Sequence, residues 1–128
     1  MRLIDSSAII KFFAKEPGWK EIEAYLPESM TIPLAIEELG NALWKKVLLA
    51  EIKEKDAEEI IGLYQSIAVL AEYKPFTRTA LEIAVKEKIA FYDSLFLAVA
   101  MKNDYEFVTC DRLQAKIARK LGITVVEC

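Results

Sequence analysis

The sequence contains no histidine and only two cysteines among its 128 residues. Without histidine, a His-based catalytic triad and a His-ligated zinc site are both excluded, and two scattered cysteines cannot form a thiolate zinc site. Any metal ion must therefore be held by oxygen ligands, which favours Mg²⁺ or Mn²⁺. With only four glycines, neither a GxGxxG loop nor a Walker A phosphate loop is present.

The chain shows no sign of a secretory or membrane protein. It begins directly in a strand-like run, RLID, and its longest apolar stretch, IAFYDSLFLAVAM, contains Asp93 and is too short to span a bilayer. We therefore expect a cytoplasmic protein in which Cys110 and Cys128 are free thiols.

Length and charge indicate a single compact domain covering residues 1–128, because 54% apolar residues supply a sizeable core. The net charge of -3 argues against bulk electrostatic binding to nucleic acid. It does not exclude a nuclease whose acidic site has a local basic rim.

Short apolar runs alternate with helical patterns along the whole chain. This order predicts a three-layer α/β/α domain around a central, mostly parallel sheet. The predicted strands are 2–5, 30–33, 106–110 and 123–128, and 68–73 is a further candidate. The predicted helices are 6–14, 19–26, 34–49, 52–67, 77–89, 93–103 and 111–122.

Four acidic residues occupy equivalent positions in this pattern, at strand ends or helix starts. Asp5 and Asp111 each follow a strand and open a helix, Glu38 lies one turn into the helix after the second strand, and Asp93 begins the most apolar helix. A parallel sheet brings the carboxyl ends of its strands to one edge. Taken singly, Asp5 and Asp111 are equally well explained as helix N-caps, and Glu38, beside Glu37, as a surface residue.

Converging carboxylates repel one another, and a bound divalent cation would offset that repulsion. Such a site suits phosphodiester hydrolysis, which needs neither histidine nor a side-chain nucleophile. Several polar residues could support it: Ser6 and Ser7 by contacting metal or water, Asn41 and Thr109 by orienting ligands, and Lys11, Lys45 and Lys46 by meeting phosphates. Each also has an ordinary explanation as a capping, strand or surface residue.

The motifs IDSSAIIKFF, EELGNALWK, FYDSLFLAVA and FVTCD, in this order, resemble those of the PIN-domain ribonucleases, and most closely the VapC-type toxins of prokaryotic toxin–antitoxin pairs. The resemblance extends from the first strand to the last. It assigns the four acids to Asp5, Glu38 rather than Glu37, Asp93 and Asp111.

The resemblance implies a Mg²⁺-dependent endoribonuclease, with Mn²⁺ as substitute, that cuts specific RNAs such as tRNA or rRNA. It also implies a homodimer and a small antitoxin partner. Spare apolar side chains on the predicted helices, at Trp44, Leu48 and Tyr64, are compatible with such interfaces, although each could instead belong to the core.

Three other interpretations remain open from the residues. One is a catalytically idle interaction module on the same scaffold. A receiver-like phospho-acceptor domain would need an acidic pair after the first strand, and a haloacid-dehalogenase-type phosphatase needs Asp-x-Asp there. The first strand is followed by Asp5, Ser6 and Ser7, so both are disfavoured.

Overall fold

The computed structural model describes all residues, 1–128, as one α/β domain. Its strands are β1 (Arg2–Ile4), β2 (Ser29–Met30), β3 (Glu106–Thr109) and β4 (Val125–Glu127). Its α-helices are α1 (Ser6–Phe13), α2 (Leu34–Leu48), α3 (Glu54–Ile67), α4 (Thr77–Glu87), α5 (Phe91–Asn103) and α6 (Arg112–Lys120). Two 3₁₀ helices cover Trp19–Tyr25 and Lys74–Phe76.

The four strands form one sheet in the order β2-β1-β3-β4, and every pairing is parallel. The chain runs from β1 outward to β2 on one side and later adds β3 and β4 on the other. The direction of winding therefore changes between β1 and β3, and in open α/β sheets the crevice at such a point, beyond the carboxyl ends of the strands, is where ligands bind. The predicted parallel α/β/α architecture is confirmed.

Helix α5 forms the centre of the core. Its residues from Ser94 to Ala100 are all buried, as expected for a helix that is apolar on every side. It packs with the fully buried strand residues Leu3, Phe107 and Val108 in one apolar cluster. No helix of the structure combines the length and the hydropathy needed to cross a membrane.

Two local predictions differ from the structure, and one open alternative is decided by it. Residues 68–73 do not form a strand, because only Leu70 makes a bridge, to Thr31, beyond the end of the short β2. The segment Trp19–Tyr25 is a 3₁₀ rather than an α-helix. For Tyr64, which the sequence left open between an interface and the core, the structure shows the core, because its side chain is buried against Phe13.

The prediction of free thiols is wrong, because Cys110 and Cys128 form a disulfide bond. The cause is the parallel pairing of β3 with β4, which places Thr109 beside Glu127. The next residue of each strand is a cysteine, and their Cα atoms lie 4.5 Å apart, within the range that a disulfide spans.

Candidate active site

Asp5 lies where β1 ends and α1 begins, and it is only 4% exposed. Its Oδ1 accepts hydrogen bonds from Ser7 Oγ at 2.6 Å and from the Ala8 backbone N–H at 3.2 Å. Its Oδ2 accepts one from Thr109 Oγ1, from the neighbouring strand β3, at 2.5 Å. Asp5 therefore caps α1 and is also held in place from the end of the adjacent strand.

Burial raises the pKa of Asp5 to about 6, from an ordinary 3.8. The hydrogen bonds from Ser7, Thr109 and Ala8 lower the pKa, since they stabilise the charged form, whereas the nearby charge of Asp111 raises it. A buried carboxylate with a raised pKa in a cleft is typical of functional sites.

Asp111 follows β3 as Asp5 follows β1, and it caps helix α6. Its Oδ1 accepts hydrogen bonds from the backbone N–H groups of Leu113 at 2.9 Å and Gln114 at 3.0 Å. Its own backbone N–H donates to Thr109 Oγ1 at 3.1 Å. The capping interpretation thus holds for both aspartates, and one carboxylate oxygen of Asp111 remains outside the cap.

Glu38 and Asp93 approach from the two helices α2 and α5. Ser6 Oγ donates to Glu38 Oε1 at 2.9 Å. Burial is the main cause of the raised pKa of both acids, and neighbouring charges add to it: Asp93 and Glu37 act on Glu38, and Asp111 acts on Asp93. The carboxylates of Glu38, Asp93 and Asp111 line the same cavity, which is why each charge acts on its neighbour.

All four acids line one cavity of about 190 Å³ at the carboxyl edge of the sheet. No lysine or arginine is among the lining residues, which are Asp5, Ser6, Ser7, Ile10, Glu38, Asp93, Phe96, Asp111 and Gln114. Glu37 is absent from this wall and exposed, so the structure places Glu38, not its neighbour, in the cavity. We call this space the acid cavity.

Gln114 is a lining residue that sequence reasoning missed. It is buried, and its Nε2 donates to the backbone carbonyl of Asp93 at 3.2 Å, which joins α6 to the first turn of α5. The signal was its position three residues after Asp111, on the buried face of α6.

Ser7 holds Asp5 in place and does not only face metal or water as expected. Its Oγ donates to Asp5 and accepts a hydrogen bond from the Cys110 backbone N–H at 2.9 Å.

The remaining polar candidates lie outside the acid cavity. Asn41 and Lys45 line an adjoining groove of about 450 Å³. Lys11 is paired with Glu21 at 2.8 Å, and Lys46 with Glu51 at 3.3 Å. Of the predicted phosphate contacts, only Lys45 therefore borders the site without being committed to an ion pair.

The donor set of the acid cavity fits a divalent cation. It consists only of oxygen atoms, carries up to four negative charges, and has no cationic side chain in its wall. No three of the acids are yet arranged as a ready-made metal chelate. One carboxylate oxygen each of Asp5 and Asp111 accepts hydrogen bonds at a helix N-terminus.

Fold and site together define a parallel α/β domain with a carboxylate-lined cavity at the switch point of its sheet. The sequence profile of the PIN domain matches residues 2–120. The chain therefore belongs to the PIN-domain family, and within it to the VapC-type proteins.

Two relatives come from Pyrobaculum aerophilum. Ribonuclease VapC3 is 26% identical over 121 residues, covering 89% of this chain and 92% of the relative. Exonuclease VapC9 is 30% identical over 125 residues, covering 98% of this chain and 90% of the relative.

Solved structures are similar over nearly the whole fold. The crystal structure of PAE2754 from the same organism has a TM-score of 0.79 and 26% identity, covering 98% of this chain and 88% of that one. VapBC2 from Rickettsia felis, bound to a DNA fragment from its promoter, has a TM-score of 0.68 at 10% identity, covering 99% and 98% of the two chains. At 10% identity, the similarity to VapBC2 shows only that the fold is shared.

Proposed function

We propose that this protein is a metal-dependent endoribonuclease, the toxin of a type II toxin–antitoxin pair that cleaves tRNA or rRNA. The observation that carries the proposal is the acid cavity, where four carboxylates from four separate segments meet in a wall that contains no lysine or arginine side chain. The name of the relative Ribonuclease VapC3 supports the same activity. Membership of the PIN-domain family leaves no place for the receiver-like alternative.

Asp5, Glu38, Asp93 and Asp111 would hold Mg²⁺, or Mn²⁺ in its place. When bound, the ion would lower the pKa of a water molecule and offset the charge that develops on the scissile phosphate. The cavity wall contains no histidine, cysteine or lysine. Hydrolysis of a phosphodiester beside a bound cation needs no side-chain nucleophile, so the attacking group we propose is a water molecule activated by the cation.

The protein's own contribution is to fix the carboxylates. Thr109 and Ser7 hold the two oxygens of Asp5, and Ser6 holds one oxygen of Glu38. Gln114 fixes the first turn of α5, on which Asp93 lies. Because these hydrogen bonds already restrict the carboxylate side chains, the side chains would lose little conformational freedom when a cation binds.

The first test is cleavage of purified tRNA and rRNA with Mg²⁺ or Mn²⁺, with EDTA as the metal-free control. An Asp93→Asn protein purified identically controls for contaminating ribonuclease. Discrete cuts that require metal and disappear in the variant would support the proposal. Mn²⁺ binding without any cleavage would point to a missing substrate, whereas neither binding nor cleavage would favour an idle module.

An exonuclease is the second candidate, because the 30% identical relative carries that name. A circular single-stranded RNA distinguishes the two, since it offers no end. Metal-dependent opening of the circle would establish endonucleolytic cleavage. Stepwise shortening of the linear form, with the circle intact, would establish the exonuclease.

A small antitoxin and a second copy of the chain are the proposed protein partners. The groove between α2 and α3, about 420 Å³, offers an apolar surface that includes Trp44, 56% exposed, and Leu48, 65% exposed. Arrest of growth on expression, absent with Asp93→Asn, would support the toxin role. A mass in solution of twice the 14.5 kDa chain would support the dimer.

A further inference from the structure

A second groove opens directly from the acid cavity. Ile10 and Glu38 line both spaces, and the groove is also lined by Glu37, Asn41 and Lys45 of α2 and by Tyr92 of α5. Its volume is about 450 Å³, more than twice that of the acid cavity. We call it the Tyr92 groove.

Tyr92 supplies an exposed aromatic ring at the edge of the acid cavity. It precedes Asp93 in the first turn of α5, and 62% of its surface is accessible. Its aromatic neighbour, Phe91, lies in an edge contact with ring centroids 6.5 Å apart, so Tyr92 is not stacked within the protein. An exposed tyrosine next to a cleft is a ready surface for a flat ligand group.

The opposite wall is one face of α2, which changes from acidic at Glu38 to basic at Lys45. Glu38, Asn41 and Lys45 follow at spacings of three and four residues, so they share that face. Lys45 lies about 10 Å along the helix axis from Glu38, which is just under two turns. It belongs to none of the ion pairs in the structure, whereas the neighbouring Lys46 is paired with Glu51.

Resting on the proposed nuclease function, we propose that the Tyr92 groove binds the nucleotide adjoining the cleaved phosphate of a single-stranded RNA. The base stacks on Tyr92, the Asn41 amide hydrogen-bonds to the base or ribose, and the next phosphate meets the Lys45 ammonium. Glu37 also lines the groove, and its negative charge repels phosphates from its part of the wall. Stacking on an aromatic ring requires an unpaired base, so the groove selects single-stranded over duplex RNA.

The test is binding of a fluorescein-labelled single-stranded RNA octamer, measured by anisotropy with Mg²⁺ in the Asp93→Asn background, where cleavage is expected to be lost. Tyr92→Phe keeps the ring and should bind like its parent. Tyr92→Leu keeps apolar bulk without the ring and should bind about 5- to 150-fold more weakly, the range for loss of one stacked base. Leu81→Ala, on α4 and 56% exposed, is the control for a distant surface change.

The contact between Lys45 and a phosphate is tested with a matched pair of lysine variants. Lys45→Ala should reduce the slope of log affinity against log salt by about 0.7, the value for one phosphate contact to a single strand. Lys46→Ala, with the same charge change one residue away, should leave the slope unchanged. In the cleavage-competent protein, Tyr92→Leu should raise KM and leave kcat within about twofold, because the lost contact is with bound RNA.

The outcomes separate this proposal from the nuclease proposal. RNA binding that depends on the Tyr92 ring, in a protein that cuts no RNA, would support the groove and contradict the nuclease. Metal-dependent cleavage with equal binding by Tyr92→Leu and Tyr92→Phe would overturn the groove alone. If both variants keep RNA binding and instead release a co-purifying protein, the groove is a protein interface and the proposal is wrong.

Discussion

The Thr109 hydroxyl donates a 2.5 Å hydrogen bond to Oδ2 of Asp5, joining residues 104 positions apart in the chain. The bond forms because β1 and β3 are paired with Ile4 beside Val108, so the next residue of each strand also meets its neighbour. The same hydroxyl accepts the backbone N–H of Asp111 at 3.1 Å. Thr109 thus links two of the four acids.

Removing this hydroxyl should weaken cation binding. Thr109→Val keeps the shape but leaves Asp5 without one partner, and we expect Mn²⁺ affinity to fall about 10- to 100-fold. The free energy of unfolding should fall by about 1–3 kcal/mol, since Thr109 is fully buried. Titration calorimetry and urea denaturation measure both. The Thr109→Ser variant, which keeps the hydroxyl, should behave like the wild type. If Thr109→Val and Thr109→Ser bind Mn²⁺ with equal affinity, the hydroxyl of Thr109 does not support cation binding.

Neutralising Asp93 should abolish cleavage while preserving the fold. Asp93→Asn removes a proposed cation ligand, so the cleavage rate should fall more than about 100-fold. In EDTA the melting temperature should stay the same or rise, because repulsion with Asp111 and Glu38 is relieved.

Asp104→Asn is the matched control for this change. Asp104 ends the same helix at φ 55°, a left-handed conformation that asparagine also adopts readily. It should cleave and melt like the wild type. If Asp93→Asn cleaves as fast as this control, Asp93 is not a site residue.

Asp5 should make the metal-free protein less stable as pH rises. Its pKa is about 6 in the folded protein and 3.8 ordinarily, so the folded state binds more protons between these values. The contribution to stability is therefore greatest below about pH 4 and is lost as pH passes through about 6, a change on the order of 3 kcal/mol.

Comparison with Asp5→Asn isolates this effect, because asparagine still caps α1 but does not titrate. In EDTA, the difference in unfolding free energy between variant and wild type should grow from pH 4 to pH 7, and Mn²⁺ should reverse it for the wild type. Parallel curves for the two proteins over this range would show that the pKa of Asp5 is not raised.

Breaking the disulfide should destabilise the protein without unfolding it. Cys110 and Cys128 are separated by 18 residues, and a cross-link over such a loop contributes about 3 kcal/mol. The double variant Cys110→Ser, Cys128→Ser should melt on the order of 10 °C lower. A reductant should lower the melting temperature of the wild type and not that of the variant. If the melting temperature of the wild type is the same with and without reductant, the disulfide bond is absent.

Local features of the fold could be predicted because they are encoded locally. The all-round apolar pattern of 93–103 correctly predicted the buried helix α5, and Gly122, at φ 80°, follows α6 where a stop was expected. The strand predicted at 68–73 failed because apolar composition alone does not show whether a partner strand is available.

The candidate site was predictable as a set of residue types and not as a set of contacts. The spacing of Asp5, Glu38, Asp93 and Asp111 placed them at strand ends and helix starts, and the structure lines one cavity with all four. Nothing local indicated that Lys11 would pair with Glu21, or that Gln114 would reach the backbone of Asp93. Those contacts depend on how helices from distant parts of the chain pack.

By itself, the sequence determined the order of strands and helices, the exclusion of histidine and thiolate metal sites, and the restriction to oxygen ligands. The tertiary structure decided that Tyr64 belongs to the core, that Gln114 contacts the backbone of Asp93, and that Cys110 joins Cys128. The physical reason is range: helix and strand periodicity act over a few residues, whereas the parallel pairing of β1, β3 and β4 brings together residues far apart in the chain.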